Sequence, residues 1–250
     1  MEVLLNSDNI VISLFLFLIA ILYSSVGHGG ASGYLAVLAF AEISTASMRS
    51  TALILNVLVA TIASIKFIKS GSFSLRIFLP LIVTSIPMAF LGGKLELPEH
   101  IYRPIVGVIL LLVSLRIITE IKNGKNQNYK TPSSPVLLLV GAGLGFLSGL
   151  TGIGGGIFLS PLLYFLHWAP LKVISGIAAS FVLVNSISGI LGISSNTLEV
   201  HNGLPLWLVA VLLGGLIGAE FGSKRLENKT IQWLLSIVTI VGALKMIFSF

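Results

Sequence analysis

The chain has 250 residues, of which 55% are hydrophobic and only 10% charged. A soluble domain carries about 25% charge, so this sequence lacks the polar surface that water demands, and its mean hydropathy of +1.03 agrees. The formal charge of +6 falls mostly in short loops between apolar runs, which points to orientation in a bilayer and contact with anionic headgroups, not to nucleic acid.

Glu2 and Asp8 precede the first apolar run, where a cleaved leader would carry positive charge. That run is therefore expected to stay as a first span. Eight apolar segments can be drawn, at roughly 10–26, 47–68, 73–93, 101–119, 135–150, 171–192, 204–222 and 231–249, near the ~20 residues that a bilayer-crossing helix needs. Two further runs, 31–41 and 157–167, each follow a glycine cluster and are too short to cross. They are expected as half-helices or re-entrant pieces.

The polar stretch 120–134 contains Lys122, Lys125 and Lys130 and has almost nothing to bury. It reads as an exposed linker whose lysines favour the cytoplasmic side. In a simple eight-span arrangement the loop with Lys66, Lys69 and Arg76 shares that side with both termini. The opposite side then keeps Lys94, Arg103, Lys172, Lys224, Arg225 and Lys229, which leaves the charge bias weak.

The sequence resembles itself. Gly27-His28-Gly29-Gly30-Ala31 aligns with Gly152-Ile153-Gly154-Gly155-Gly156. Further on, Ser50 to Asn56 aligns with Ala179 to Asn185, and Gly92-Gly93-Lys94-Leu95 with Gly222-Ser223-Lys224-Arg225. Three matches in order indicate duplication, a mark of secondary transporters. The expected architecture is an all-α integral membrane protein of about eight transmembrane helices, in two related four-helix halves with glycine-broken helices. The halves are residues 1–119 and 135–250, joined by 120–134. Whether the repeat is parallel or inverted stays open at this level.

Glycine frees the backbone to leave a helix and lets other atoms come close. Unwound backbone survives at bilayer depth only against protein or a polar cavity, and a helix starting after the break offers unpaired N–H groups to an anion. Gly27, Gly29 and Gly30 in the first cluster, and Gly152, Gly154, Gly155 and Gly156 in the second, are therefore candidate substrate-binding positions. Gly141, Gly145, Gly149 and Gly214, Gly218, Gly222 recur every fourth residue and read as helix-packing faces.

Asn56 and Asn185 sit at matching places inside apolar spans, as ligands of an anion or of the unwound backbone, or as interhelical glue. Thr51 and Ser180 precede them, with back-bonding to their own helices as the expected use. His28, within the first cluster, is a candidate anion donor or proton carrier. Arg49 either snorkels to the interface or draws an anion inward. Glu220 has Lys224 four residues on, as an ordinary helical ion pair would require.

Catalytic constellations are missing. Asp8 is the single aspartate, cysteine is absent, and the histidines are scattered. There is no nucleotide-binding loop and no zinc motif. An enzyme, a metal site and a bound cofactor are thus not expected.

Gly27-His28-Gly29-Gly30, and above all the stretch Gly149-Leu150-Thr151-Gly152-Ile153-Gly154-Gly155-Gly156-Ile157-Phe158-Leu159-Ser160-Pro161-Leu162, resemble the TauE/SafE family of sulfite and organosulfonate exporters, also called the toluene sulfonate uptake permease family. The first copy departs from the pattern, with Ala31 for a third glycine and no matching proline. The resemblance implies a multi-pass permease of a bacterial or archaeal plasma membrane. Its partners would be a small sulfur-containing anion, a coupled proton or sodium ion, the lipid bilayer and, as an open option, further copies of itself. A passive anion channel and a membrane assembly subunit without flux are the rival readings.

Overall fold

The computed structural model describes residues 7–41, 43–95, 111, 115, 118, 129–130, 132–193 and 200–248. The apolar segment 101–119 and most of the linker 120–134 lie outside these residues. The described chain is helical: α1 (Ser7–Ser25), α2 (Ala31–Phe40), α3 (Thr45–Lys69), α4 (Leu75–Lys94), α5 (Ser134–Thr151), α6 (Gly156–Phe165), α7 (Leu171–Gly192), α8 (Leu204–Glu220) and α9 (Asn228–Phe248). A short π-helical turn, Phe221–Arg225, extends α8. Six of these helices are long and apolar enough to cross a membrane: α1, α3, α4, α5, α7, and α8 together with its π turn.

Local sequence sets the helix ends. Ser44 caps α3 by accepting from the Ser47 N–H at 3.3 Å. Pro135 and Pro205 stand in the first turns of α5 and α8, where a missing N–H costs nothing. Apolar side chains such as Leu14, Leu79, Leu139 and Val209 stay exposed on α1, α4, α5 and α8, as lipid-facing surfaces would. By contrast α7 has 72% of its span buried, against 28% for α1 and α4, so α7 belongs to the interior.

Small residues decide how the helices approach. Along α5, Gly141, Gly145 and Gly149 lie against the α4 backbone at Leu81, Ser85 and Ala89. Both positions rise together, so α4 and α5 run parallel. In the same way Gly214, Gly218 and Gly222 meet Phe17, Ile21 and Ser25 of α1, and α1 runs parallel to α8. Both stripes are the packing faces expected from their spacing. Between these pairs α3 and α7 run antiparallel, with Leu53 near Gly189 and Phe67 near Gly176.

A built-in control tests this packing. Gly143 has open space around its Cβ position, whereas that of Gly145 falls on the Ser85 backbone. Gly143→Ala is expected to stabilise α5 by up to about 1 kcal/mol. Gly145→Ala is expected to destabilise by about 1–3 kcal/mol through overpacking. Thermal unfolding of the detergent-solubilised protein should move in opposite directions for the two variants.

The re-entry of α2 changes the topology from the simple eight-span arrangement. Gly203 at the start of α8 lies beside Asn9 at the start of α1. The end of α2 and the start of α3, at Ala41 and Ser47, line one cleft with His201. The helix α2 therefore returns to the end where α1 began, and α3 starts there too. The start of α1 and the loop 70–74 consequently lie at opposite ends, not on one side. The same step sorts the charges. Lys66 pairs with Glu220, whose neighbour is Lys224. Ile77, Leu137, Leu171, Ile174 and Leu226 share one apolar cluster, and the Lys130 N–H donates to the His167 carbonyl. These contacts put Lys66, Lys69, Arg76, Lys130, Lys172, Lys224, Arg225 and Lys229 near one end. At the other end Lys94 lies over the Phe90 ring, and Lys245 falls in the second half of α9.

Candidate functional site

Both glycine clusters break helices deep in the fold. After α1 the N–H groups of Val26 and His28 turn back to the Tyr23 carbonyl. Gly27 and Gly30 take φ values of 76° and 104°, in the left-handed region that side chains resist. After α5, Gly152, Gly154 and Gly155 have φ of 70°, 81° and 77°. Every residue from Tyr23 to Tyr34 and from Gly152 to Ile157 is buried. Each break ends at the N-terminus of a half-helix, α2 in one case and α6 in the other. The first retreats toward the start of α1 and the second toward the basic end.

One side chain joins the breaks. Asn56 on α3 is fully buried. Its Oδ1 accepts from the Ala31 N–H, the first of α2, at 2.9 Å. Its Nδ2 donates to the Ile153 carbonyl in the second break at 3.3 Å and to the Ser186 hydroxyl at 3.4 Å. Of the uses open to it from sequence, Asn56 here serves the unwound backbone, meeting the requirement that buried polar groups be paired. His28 makes a second bridge. Its Nε2 lies 2.8 Å from the Ser160 hydroxyl of α6, while its Nδ1 is buried without a partner.

The glycines divide by what surrounds them. Gly29, Gly154 and Gly156 all face Val182, with Asn56 beside the first two and His28 beside the third. These residues form one centre. Gly27 instead approaches Ser175, Gly30 the Tyr34 ring, Gly152 the Arg49 stem, and Gly155 the side chains of Phe181 and Ser148. They shape the turns around the centre. Asn185 stands apart from both breaks: its Nδ2 donates to the Phe181 carbonyl of its own helix at 2.8 Å, and its Oδ1 is buried without a partner. Ser186, the next residue, is the one whose hydroxyl reaches Asn56. Sequence reasoning gave no role to Ser186, Ser160 and Val182, although Val182 lies within the aligned motif Ala179 to Asn185, Ser186 follows it, and Ser160 lies within the stretch that carries the family resemblance.

The remaining candidates have structural uses. The Arg49 guanidinium donates to the carbonyls of Gly149 at 2.6 Å and Gly93 at 3.2 Å, so it caps the C-terminal turns of α5 and α4 instead of snorkelling. Ser180 back-bonds to Gly176 at 3.1 Å as expected, whereas the Thr51 hydroxyl is buried without a partner. Glu220 pairs with Lys224 at 2.8 Å and, across helices, with Lys66 at 2.5 Å. Among the described residues no three His, Asp or Glu side chains gather to hold a metal.

A family profile described as sulfite exporter TauE/SafE matches residues 12–246. The chain belongs to the TauE/SafE family. Among its relatives is a protein of Sinorhizobium fredii named "Probable membrane transporter protein y4hK", 34% identical over 98% of this chain and 100% of the relative. A Bacillus subtilis protein named "Probable membrane transporter protein YjnA" is 26% identical over 88% of this chain and 92% of its own length. No solved structure matches the chain. With its six apolar helices, this TauE/SafE member is a multi-pass membrane protein, and its family sets it among membrane transporters, not enzymes.

Proposed function

We propose that this TauE/SafE protein is a secondary transporter that exports small sulfur-containing anions, such as sulfite or sulfonates, across a bacterial or archaeal plasma membrane. The observation that carries this reading is the meeting of two half-helix N-termini around Asn56, His28 and Val182. Helix N-termini concentrate positive potential, and no carboxylate stands in either break. An oxyanion suits such a centre by charge and by its need for N–H and O–H donors. Sulfite is the anion that the family description names, and sulfonates extend it by the likeness of their oxygens.

The helix directions support an inverted repeat. Under the sequence alignment α1 corresponds to α5, α3 to α7 and α4 to α8. The parallel pair α1 with α8 is then matched by α5 with α4, and corresponding helices α3 and α7 point in opposite directions. Such a pair can present one site alternately to the two sides by rocking about α3 and α7. The gathering of basic residues at one end favours that end as cytoplasmic. The occluded centre favours a carrier over an open channel.

Flux of labelled sulfite and of a sulfonate panel into proteoliposomes tests this reading, with proton and sodium gradients imposed in turn. Saturable flux that is lost in Gly155→Leu is the expected result. That side chain would start 2.8 Å from Phe181 and 3.1 Å from Ser148, so it distorts the second break. Undiminished flux in the variant would remove the site from the glycine break. No flux of any anion from folded protein would overturn the carrier.

A further inference from the structure

The centre between the breaks holds one apolar side chain in a polar ring. Val182 of α7 is 1% exposed. One of its methyl groups, Cγ1, lies 2.9 Å from the Cβ positions of both Gly29 and Gly154, and Cγ2 crowds that of Gly156. A single valine thus fills the room that three glycines leave, two from the second break and one from the first. Around it stand the Asn56 amide, the Ser186 hydroxyl and the His28 ring. We infer that Val182 sets the size limit of the transported anion, separating sulfite from organosulfonates of increasing chain length.

The inference rests on the anion-carrier reading and adds to it a residue that distinguishes substrates. Sulfite and a sulfonate each present three oxygens on sulfur, so the donors of the ring can meet either. Sulfite carries a lone pair on sulfur and a second ionisable charge, whereas a sulfonate is a monoanion with a carbon substituent in place of that lone pair. That substituent is apolar and needs space next to the oxyanion. Val182 is an apolar side chain that touches both breaks, and its two methyl groups occupy that space. Hydrophobic pockets discriminate one methylene by about 10-fold or more, so a change of two methyl groups at this position should be read as a change of ranking among substrates, not as a uniform loss.

The test uses the full chain in proteoliposomes, with sulfite and the methane-, ethane- and butanesulfonates as substrates. It adds thermal protection of the detergent-purified protein by the same four anions, which needs no flux. Val182→Ala is expected to raise the ratio of ethanesulfonate and butanesulfonate flux to sulfite flux by about 10-fold, and to extend thermal protection to the longer anions. Val182→Thr keeps the shape of valine and is expected to keep the wild-type ranking. It thereby separates the size of the side chain from its apolar character. An unchanged ranking in Val182→Ala, with flux or protection retained, overturns the size filter and leaves the carrier standing. A Val182→Thr variant that changes the ranking as Val182→Ala does also overturns it. Absence of both flux and protection for all four anions in the wild type overturns the carrier, and the filter with it.

Discussion

Asn56→Leu is expected to lower the thermal unfolding temperature of the purified protein by about 5–15 °C and to abolish flux, whereas Asn185→Leu leaves stability nearly unchanged. The two asparagines occupy matching places in the repeat and are both fully buried, so the contrast isolates their partners. Removing the Asn56 amide strands the Ala31 N–H and the Ile153 carbonyl. Each buried group left unpaired costs about 1–3 kcal/mol, and a chain of this size loses about 2–4 °C per kcal/mol. Asn185 holds only a carbonyl of its own helix, and its Oδ1 has no partner. Leucine there removes one local hydrogen bond and one unsatisfied acceptor together, which is nearly neutral. Thermal unfolding monitored by circular dichroism checks both. Equal shifts for the two variants would mean that Asn56 does not hold the breaks. Lost flux in Asn185→Leu at unchanged stability would assign Asn185 to the substrate.

Gly27→Ala is expected to be the more damaging of a pair of glycine substitutions made at nearly the same backbone angle. Gly27 and Gly71 have φ of 76° and 75°, so alanine pays the same left-handed strain at both, roughly 1–2 kcal/mol. Nothing lies within 4 Å of the Cβ position of Gly71, and there the strain is the whole cost. At Gly27 the new methyl falls on the Ser175 backbone of α7, and the turn after α1 must move. Overpacking adds about 1–3 kcal/mol and shifts His28 and the start of α2. Gly71→Ala should keep full flux with a small loss of stability. Gly27→Ala should lose flux and at least twice as much stability. Flux and unfolding measured on both variants decide the matter; matching results would show that the first break is not held against α7.

The membrane character, six of the eight expected spans and the two half-helices were legible because a bilayer imposes strong rules on composition and length; of the other two spans, 101–119 lies outside the described residues and 231–249 falls in α9, which is not among the six. The packing stripes on α5 and α8 were legible for a related reason: small residues four apart can only mark one helix face. The same reasoning found both breaks, since glycines that dense are costly in a continuous helix. Asn56 stood out as well, with an anion, the unwound backbone and a neighbouring helix as its open uses. Its service to the backbone depends on where Ala31 and Ile153 end up, residues 25 and 97 positions away in the chain. Neither use open to Arg49 from sequence, snorkelling or drawing an anion inward, included its capping of two helix ends, because its acceptors, the carbonyls of Gly93 and Gly149, are backbone atoms that carry no sequence signature.

By itself the sequence determined a helical membrane protein of the TauE/SafE kind, with two glycine breaks and a self-similar order of motifs, because period, length and glycine density are local properties. The tertiary structure alone decided the direction of each helix, since a ten-residue helix that turns back reverses the side of everything after it. That reversal collected the basic residues at one end. It set α3 against α7, brought His28 to Ser160, and placed the Ser186 hydroxyl against Asn56. It also lodged Val182 between Gly29 of the first break and Gly154 and Gly156 of the second. These are contacts across long separations, fixed by packing and by the need to pair buried backbone groups, and no local pattern encodes them.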